Sequence, residues 1–206
     1  TVMDARVTVM LFDYGITKKS FFYVYWAGRF QRARYFNLLR KSEMLTVVSK
    51  SLLTKFLKDD RDIVYVTERL NHIDMLHKWA PTDNKTTFIS GDKIDVLDCQ
   101  LVFSTPGKMR DGVDIPQKDC LIMSTPISNI EQMCGRIVRI SRNKEEPIII
   151  DMVDIGEKEI YKTLFSRVKY YEKKKWKVKY VLLTSDGTFR EISKDNAMEI
   201  ISEKNE

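Results

Sequence analysis

Gln132, Gly135, Arg136 and Arg139 stand as Q-x-x-G-R-x-x-R within SNIEQMCGRIVRI (128–140), a stretch whose apolar residues recur at helical spacing. On a helix, Gln132, Arg136 and Arg139 are i, i+4 and i+7, so the three side chains share one face. Two adjacent guanidiniums repel unless an anion neutralises them, and their planar forks suit phosphate. A positioned arginine stabilises charge on a transferring phosphoryl group, an effect on the order of 10³-fold or more in rate. Cys134, Ile137 and Val138 supply the apolar face that would bury the helix. A solvated basic helix face is the competing reading.

A second constellation, STPGKMRDGVDIP (104–116), lies between two apolar runs. Gly107 and Gly112 allow backbone conformations closed to other residues, and Asp114 is an acceptor suited to a ribose hydroxyl. Thr105 and the backbone N–H groups beside it could hold a nucleic-acid phosphate. Ordinary Gly-Asp loop chemistry explains the same string, and its position ahead of the arginine helix is what gives it weight.

The elements that must carry these residues are legible as alternating patterns. IVYVT (63–67), TTFIS (86–90), CQLVFST (99–105), DCLIMST (119–125) and PIIID (147–151) are short apolar runs, most of them β-branched, and LNHIDMLHKW (70–79) is an amphipathic helix stopped by Pro81. Such runs are strands buried on both faces of a parallel sheet, so an α/β open sheet with helices on both faces is expected. Ligands then bind where the strands end, at Thr67, Ser90-Gly91-Asp92, Ser104-Thr105-Pro106-Gly107 and Ser124-Thr125-Pro126. VTVMLF (7–12) and FFYVYW (21–26) predict a β-hairpin or two strands at the entry, and residues 28–60 one long or two consecutive helices. After Asp154, a basic helix at about 157–175, the run KVKYVLLT (177–184), a Ser185-Asp186-Gly187 turn, TFREI (188–192) and a last helix form a small C-terminal appendage. The expected organisation is therefore 1–27, 28–156 and 157–206.

Charge points to a polyanionic partner. Residues 18–58 hold ten Lys/Arg against one acid, residues 59–156 twelve against seventeen, and residues 157–181 nine against three. The basic flanks also carry Tyr25, Trp26, Tyr35, Tyr170, Tyr171 and Trp176, which suits nucleic acid; solvated helix faces over core aromatics are the alternative. For Tyr170, Tyr171 and Trp176, packing of the tail on the sheet is the commoner use, and stacking on bases the other. Cys99, Cys120 and Cys134, with His72 and His77, match no zinc or disulfide framework. Both histidines are expected to be satisfied surface or core residues, and Cys134 a small core residue. The 43% hydrophobic share supports a core, and neither a bilayer-length apolar run nor a signal core is present. A cytoplasmic protein with no membrane partner and no bound structural metal is expected.

With these residues in place, the chain resembles the second RecA-like lobe of superfamily 2 helicases and translocases, closest in character to bacteriophage UvsW-like DNA helicases. IVYVTER (63–69) is similar to that family's motif IV, FSTPGKMRDGVDIP (103–116) to motif V, and IEQMCGRIVR (130–139) to motif VI. The resemblance covers about residues 28–156, and motif VI is its specific part. RVKYYEKKKW (167–176) is similar, more loosely, to the basic helix that follows motif VI in phage and related repair helicases. It implies that Arg136 and Arg139 are arginine fingers reaching ATP on a partner lobe, with Gln132 at the same interface. Gly112 and Asp114 would lie near the nucleotide, and Thr67, Thr105 and Arg110 would face the nucleic-acid backbone. The implied cofactors are ATP and Mg2+, held mainly by an N-terminal lobe of the same enzyme. The implied substrate is DNA, as forked or branched duplex, with branch migration as one outcome; for a phage protein the compartment is the host cytoplasm.

Departures shape the remaining expectations. DKIDVLD, between Gly91 and Cys99, leaves almost no room for the usual crossover helix, which puts the local strand order in question. There is no G-x-x-x-x-G-K-(S/T) loop, since Lys108 is followed by Met109, no Asp-Glu dipeptide, and the first residue is Thr. The expectation is a carboxy-terminal piece of a larger ATP-dependent enzyme, or a chain that pairs with a separate nucleotide-holding lobe, inactive alone. A non-catalytic nucleic-acid-binding module on the same fold, or a translocase that moves on duplex without separating strands, stays open.

Overall fold

The computed structural model describes residues 2–93, 98–111, 113–127 and 129–203. Seven strands are parallel: β1 (Arg6–Phe12), β4 (Ile63–Val66), β5 (Lys85–Phe88), β6 (Leu101–Ser104), β7 (Cys120–Met123), β8 (Ile148–Asp154) and β9 (Lys177–Leu183). An eighth, β10 (Phe189–Ile192), is antiparallel to β9, and the order across the sheet is β10-β9-β1-β8-β7-β4-β6-β5. This is the open α/β sheet that the apolar runs predict, and it is RecA-like, as the resemblance implies.

Successive strand residues point to opposite faces, so each run divides between two cores. Val7, Val9, Leu11, Val64, Val66, Val102, Leu121 and Met123 line one face. Met10, Phe12, Ile63, Tyr65, Leu101, Phe103, Cys120 and Ile122 line the other. The first is covered by α6 (Ile130–Ile137), α8 (Leu164–Lys173) and α9 (Lys194–Glu203), through Met133, Cys134, Leu164, Val168, Ala197 and Ile201. The second is covered by α1 (Ile16–Val24), α2 (Arg32–Asn37), α3 (Glu43–Lys58) and α4 (Leu70–Trp79). Ser42 caps α3 by accepting from Leu45 N at 3.1 Å, and Lys55 and Lys58 in its last turn complement the helix dipole.

Two expectations change. FFYVYW is not a strand: Gly15, at φ 75°, turns the chain after β1, and α1 runs from Ile16 to Val24. Only β2 (Tyr25–Trp26) and β3 (Arg29–Phe30) are extended, joined by Ala27 and Gly28 at positive φ, the two-residue turn that matches strand twist. The alternation misled because Phe21, Phe22 and Tyr23 are exposed rather than half-buried. The tail, in turn, is built into the sheet, with β9 paired in parallel to β1. Asp151 of β8 accepts Arg167 Nε at 2.8 Å and Nη2 at 3.1 Å, and Tyr171 Oη at 2.8 Å, all buried, which fixes α8 against the sheet. Tyr170, Tyr171 and Trp176 are buried in that core, with Tyr170 and Trp176 edge-to-face at 5.6 Å.

Between β5 and β6, Ile94, Asp95, Val96 and Leu97 lie outside the described residues, and the expectation of a missing or reduced crossover helix falls on them. The strand order in this region is β4-β6-β5. No helix among the described residues is long and apolar enough to cross a membrane.

Candidate functional site at the carboxyl rim of the sheet

The parallel strands end on one rim, and the loops leaving β4, β6 and β7 carry the residues singled out above. After β6, Thr105 caps the short helix α5 (Pro106–Arg110), its hydroxyl accepting from Lys108 N at 3.3 Å. Pro106 and Met109 are buried beneath it, while Gly107 and Arg110 are exposed. A Cβ on Gly107 would meet nothing within 4 Å, so that turn faces open space. Gly112 lies outside the described residues. Beyond it Val113 and Ile115 are buried and Asp114 between them is exposed, the alternation of an extended segment on the core.

After β7, Ile130, Met133, Cys134 and Ile137 make the buried stripe of α6, and the opposite side carries Gln132, exposed, and Arg136, partly buried. The helix stops at Ile137. Val138 O accepts from Met3 N at 2.7 Å, and Arg139 forms an isolated bridge with Val2, so pairing with the N-terminal segment ends the helix before Arg139. Arg139 is therefore presented from the turn after the helix rather than from its face, a correction to the i, i+4, i+7 expectation.

The two arginines both reach back to the 104–116 loop. Arg136 donates from Nη2 to Arg110 O at 3.0 Å and from Nη1 to Met109 O, closing the carbonyl end of α5. Arg139 Nη1 lies 2.7 Å from Asp114 Oδ1. Burial, then the neighbouring charge of Arg139, pull the Arg136 guanidinium below its ordinary range, with Asp114 and Asp111 opposing. A Cβ on Gly135 would meet nothing within 4 Å, so the space beside Arg136 is open. Two guanidiniums at an open rim have the chemistry to neutralise an anion.

Thr67, at the end of β4, points inward: it is buried, and its hydroxyl is 2.8 Å from His72 Nδ1. His72 Nε2 and, after β7, Thr125 Oγ1 are buried without a hydrogen-bond partner among the described residues. Burial pulls the His72 pKa down to about 4, so the ring is neutral at pH 7.

Several rim residues escape sequence reasoning. Lys144 donates to Pro116 O at 2.8 Å, to Arg139 O at 2.9 Å and to Ile137 O, and so clamps the ends of both loops; nothing in its local pattern signals this. Glu68, just past β4, has its carboxyl pushed up by burial, against the opposing pull of Arg32, Arg69 and Arg110. Asp154, at the end of β8, accepts from Tyr35 Oη at 2.6 Å and Tyr14 N at 2.9 Å, while Tyr14 Oη donates to Ser124 O at 2.7 Å. The run PIIID ends at Asp151, three residues short of the strand's end, so the strand-end rule stops before this carboxylate.

No protein-family model matches the chain. A protein of Acanthamoeba polyphaga mimivirus, named as an ATP-dependent RNA helicase, is 30% identical over 135 residues, 61% of this chain. The chain spans about a quarter (26%) of that relative's length. Among solved structures, T4 UvsW superposes with a TM-score of 0.60 at 13% identity, over 88% of this chain and 42% of that one. The yeast DEAD-box splicing factor Prp28 gives 0.53 at 13% identity, over 86% and 35%. Sheet order and neighbours agree on the fold: the chain is a RecA-like α/β domain, and at these identities the likeness to the two solved structures is one of fold.

Proposed function

We propose that the chain is the C-terminal motor lobe of an ATP-dependent nucleic-acid helicase or translocase, supplying Arg136 and Arg139 to ATP held by an N-terminal lobe. The observation that carries this is the convergence of both guanidiniums on the 104–116 loop at an open rim. ATP with Mg2+ would supply the phosphoryl transfer. This chain's part is to deliver positive charge and to sense the nucleotide. On closure, Arg139 would exchange its exposed carboxylate partner for phosphate, with Gln132 at the same edge and Asp114 beside it; Gly112 keeps the role near the nucleotide that the resemblance implies. Arg136 would move with α5, whose carbonyls it holds, so that nucleotide state reaches Thr105 and Arg110 on the nucleic-acid side. Thr67 would act through His72 and the β4 end rather than by direct contact. Such coupled closing and opening advances a strand.

Forked or branched DNA is the assigned substrate, following the UvsW-like resemblance. The RNA in the mimivirus relative's name sets the opposing arm. The test is nucleic-acid-stimulated ATPase on the polypeptide carrying both lobes, with forked, duplex and single-stranded DNA compared with RNA. Arg136→Ala and Arg139→Ala should each lower turnover on the order of 10³-fold with nucleic-acid binding retained. Retained turnover in both variants overturns the finger assignment, and stimulation by RNA alone overturns the choice of DNA.

A further inference from the structure

The segment from Ile16 to Ser42 contains seven lysines and arginines and no acid. It also carries most of the exposed aromatic surface: Phe22 is 89% exposed, Trp26 66%, Phe21 52% and Tyr23 45%. Monomeric proteins rarely leave such rings together in water. Here the rings are held in place. Phe21 stacks on Tyr25 at 4.9 Å, and the Tyr25 hydroxyl donates to Glu157 Oε1 at 2.7 Å. Thr17 donates to the same carboxylate, and Tyr35 anchors α2 on Asp154. Arg34 lies over the Tyr23 ring at 5.4 Å and the Trp26 ring at 5.8 Å, fixing both from one side.

The patch is continuous with the rim. Arg32 lies over Phe36 at 4.8 Å, and Arg69, from the end of β4, lies over the same ring at 5.9 Å and donates to Ala33 O at 3.4 Å. A basic track thus leads from the end of β4, at Arg69, to Arg32 of α2 and the aromatic face. A positively charged track ending in solvent-facing rings matches the way proteins hold single strands, with phosphates on the cations and bases on the rings.

We propose that the face formed by α1, β2 and β3 is a stacking platform for a single nucleic-acid strand leaving the rim, with bases on Phe22 and Trp26 and phosphates on Arg29 and Arg32. It rests on a nucleic-acid partner but not on the arginine-finger assignment. Stacking accepts any base, so the platform serves DNA or RNA without sequence preference.

The test is binding of labelled oligothymidylate and oligouridylate to the full chain, followed by fluorescence anisotropy over a salt series. Phe22→Ala and Trp26→Ala should each weaken binding about ten-fold, the scale of one lost base stack, without changing the slope of log affinity against log salt. Arg29→Ala with Arg32→Ala should lower that slope, because phosphate neutralisation is removed. Photocrosslinking with 5-iodouracil strands should place adducts on Phe22 or Trp26 in the unmodified chain. Unchanged affinity in the Phe22→Ala, Trp26→Ala double variant, crosslinks confined to other segments, or binding of phosphatidylserine vesicles in place of oligonucleotides would each overturn the platform. The platform is read by oligonucleotide binding to this chain and the fingers by ATP turnover of the two-lobe polypeptide, so a silent platform and a silent finger are separate outcomes.

Discussion

Arg139 Nη1 and Asp114 Oδ1 are 2.7 Å apart, and both side chains are more than half exposed, at 53% and 61%. The pair joins the loop after β6 to the turn after α6, and neither partner is sealed from water. Exposed pairs of this kind contribute about 0–1 kcal/mol, so the contact can be exchanged for another anion at little cost. An internal, desolvated pairing would have locked Arg139 away from any ligand.

Asp114→Asn should therefore leave thermal stability within about 1 kcal/mol of the parent, since only an exposed pair is weakened. In the polypeptide with both lobes, ATP turnover should fall, and Arg139→Ala added to Asp114→Asn should cost less than the sum of the two. Additive losses in a double-mutant cycle on turnover would mean that the two residues act independently.

Arg136→Lys keeps the charge but not the fork that spans Met109 O and Arg110 O. Stability should drop by about 1 kcal/mol, the scale of one or two hydrogen bonds. Turnover should drop at least about ten-fold, because an ammonium cannot hold α5 and meet a phosphate together. Full activity in this variant would limit Arg136 to a charge.

His72 gives a pH signature. Its folded pKa is about 4 against 6.5 in the free side chain, with burial as the cause. Between those values the unfolded chain binds a proton that the folded chain does not, so the His72 contribution is present above about 6.5 and is lost as pH falls towards 4. Asp154, pushed up to about 6 by burial, works in the opposite sense over the lower part of that window. Urea unfolding of the parent minus His72→Asn should isolate the histidine, with a difference that grows with pH by up to about 1.4 kcal/mol per unit. A flat difference would place His72 in contact with water.

The buried pair of Arg167 and Asp151 should be costly to break from one side. Arg167→Met leaves the Asp151 carboxylate in the core, and unfolding free energy should fall by about 3–5 kcal/mol. Asp151→Leu combined with Arg167→Met should recover much of that loss, because two apolar side chains carry no uncompensated charge. Chemical denaturation of the three variants measures both effects.

The central strands were readable because each is an uninterrupted apolar run, and a run buried on both faces has no polar phase to hide it. Ile63–Val66, Leu101–Ser104 and Cys120–Met123 fall inside the sequence-based boundaries. The α1 region was misread because pattern reports hydrophobicity, whereas Phe21 and Phe22 are apolar and solvent-facing. At the rim, Arg136 and Asp114 announce themselves through spacing, since each sits in a motif that lies along one local stretch. Lys144, Tyr14 and Asp154 do not, because each acts on backbone or side chains far away in the chain: Lys144 on Pro116 O, Tyr14 on Ser124 O, Asp154 on Tyr35. The early end of α6 is of the same kind, imposed by Val2 and Met3 pairing with Arg139 and Val138.

The position of β1 sets an order of events in synthesis. Arg6 pairs with Ile148 on one side and Lys177 on the other, so β1 leaves a ribosome well before either of its neighbours is made. Until then Val7, Val9 and Leu11 wait uncovered, a long-range closure of the sort that slows folding and exposes nascent chains to aggregation. Trimming the polypeptide before β9 would strip β1 of one edge, which makes β9 a condition for the centre of the sheet rather than an ornament at its margin.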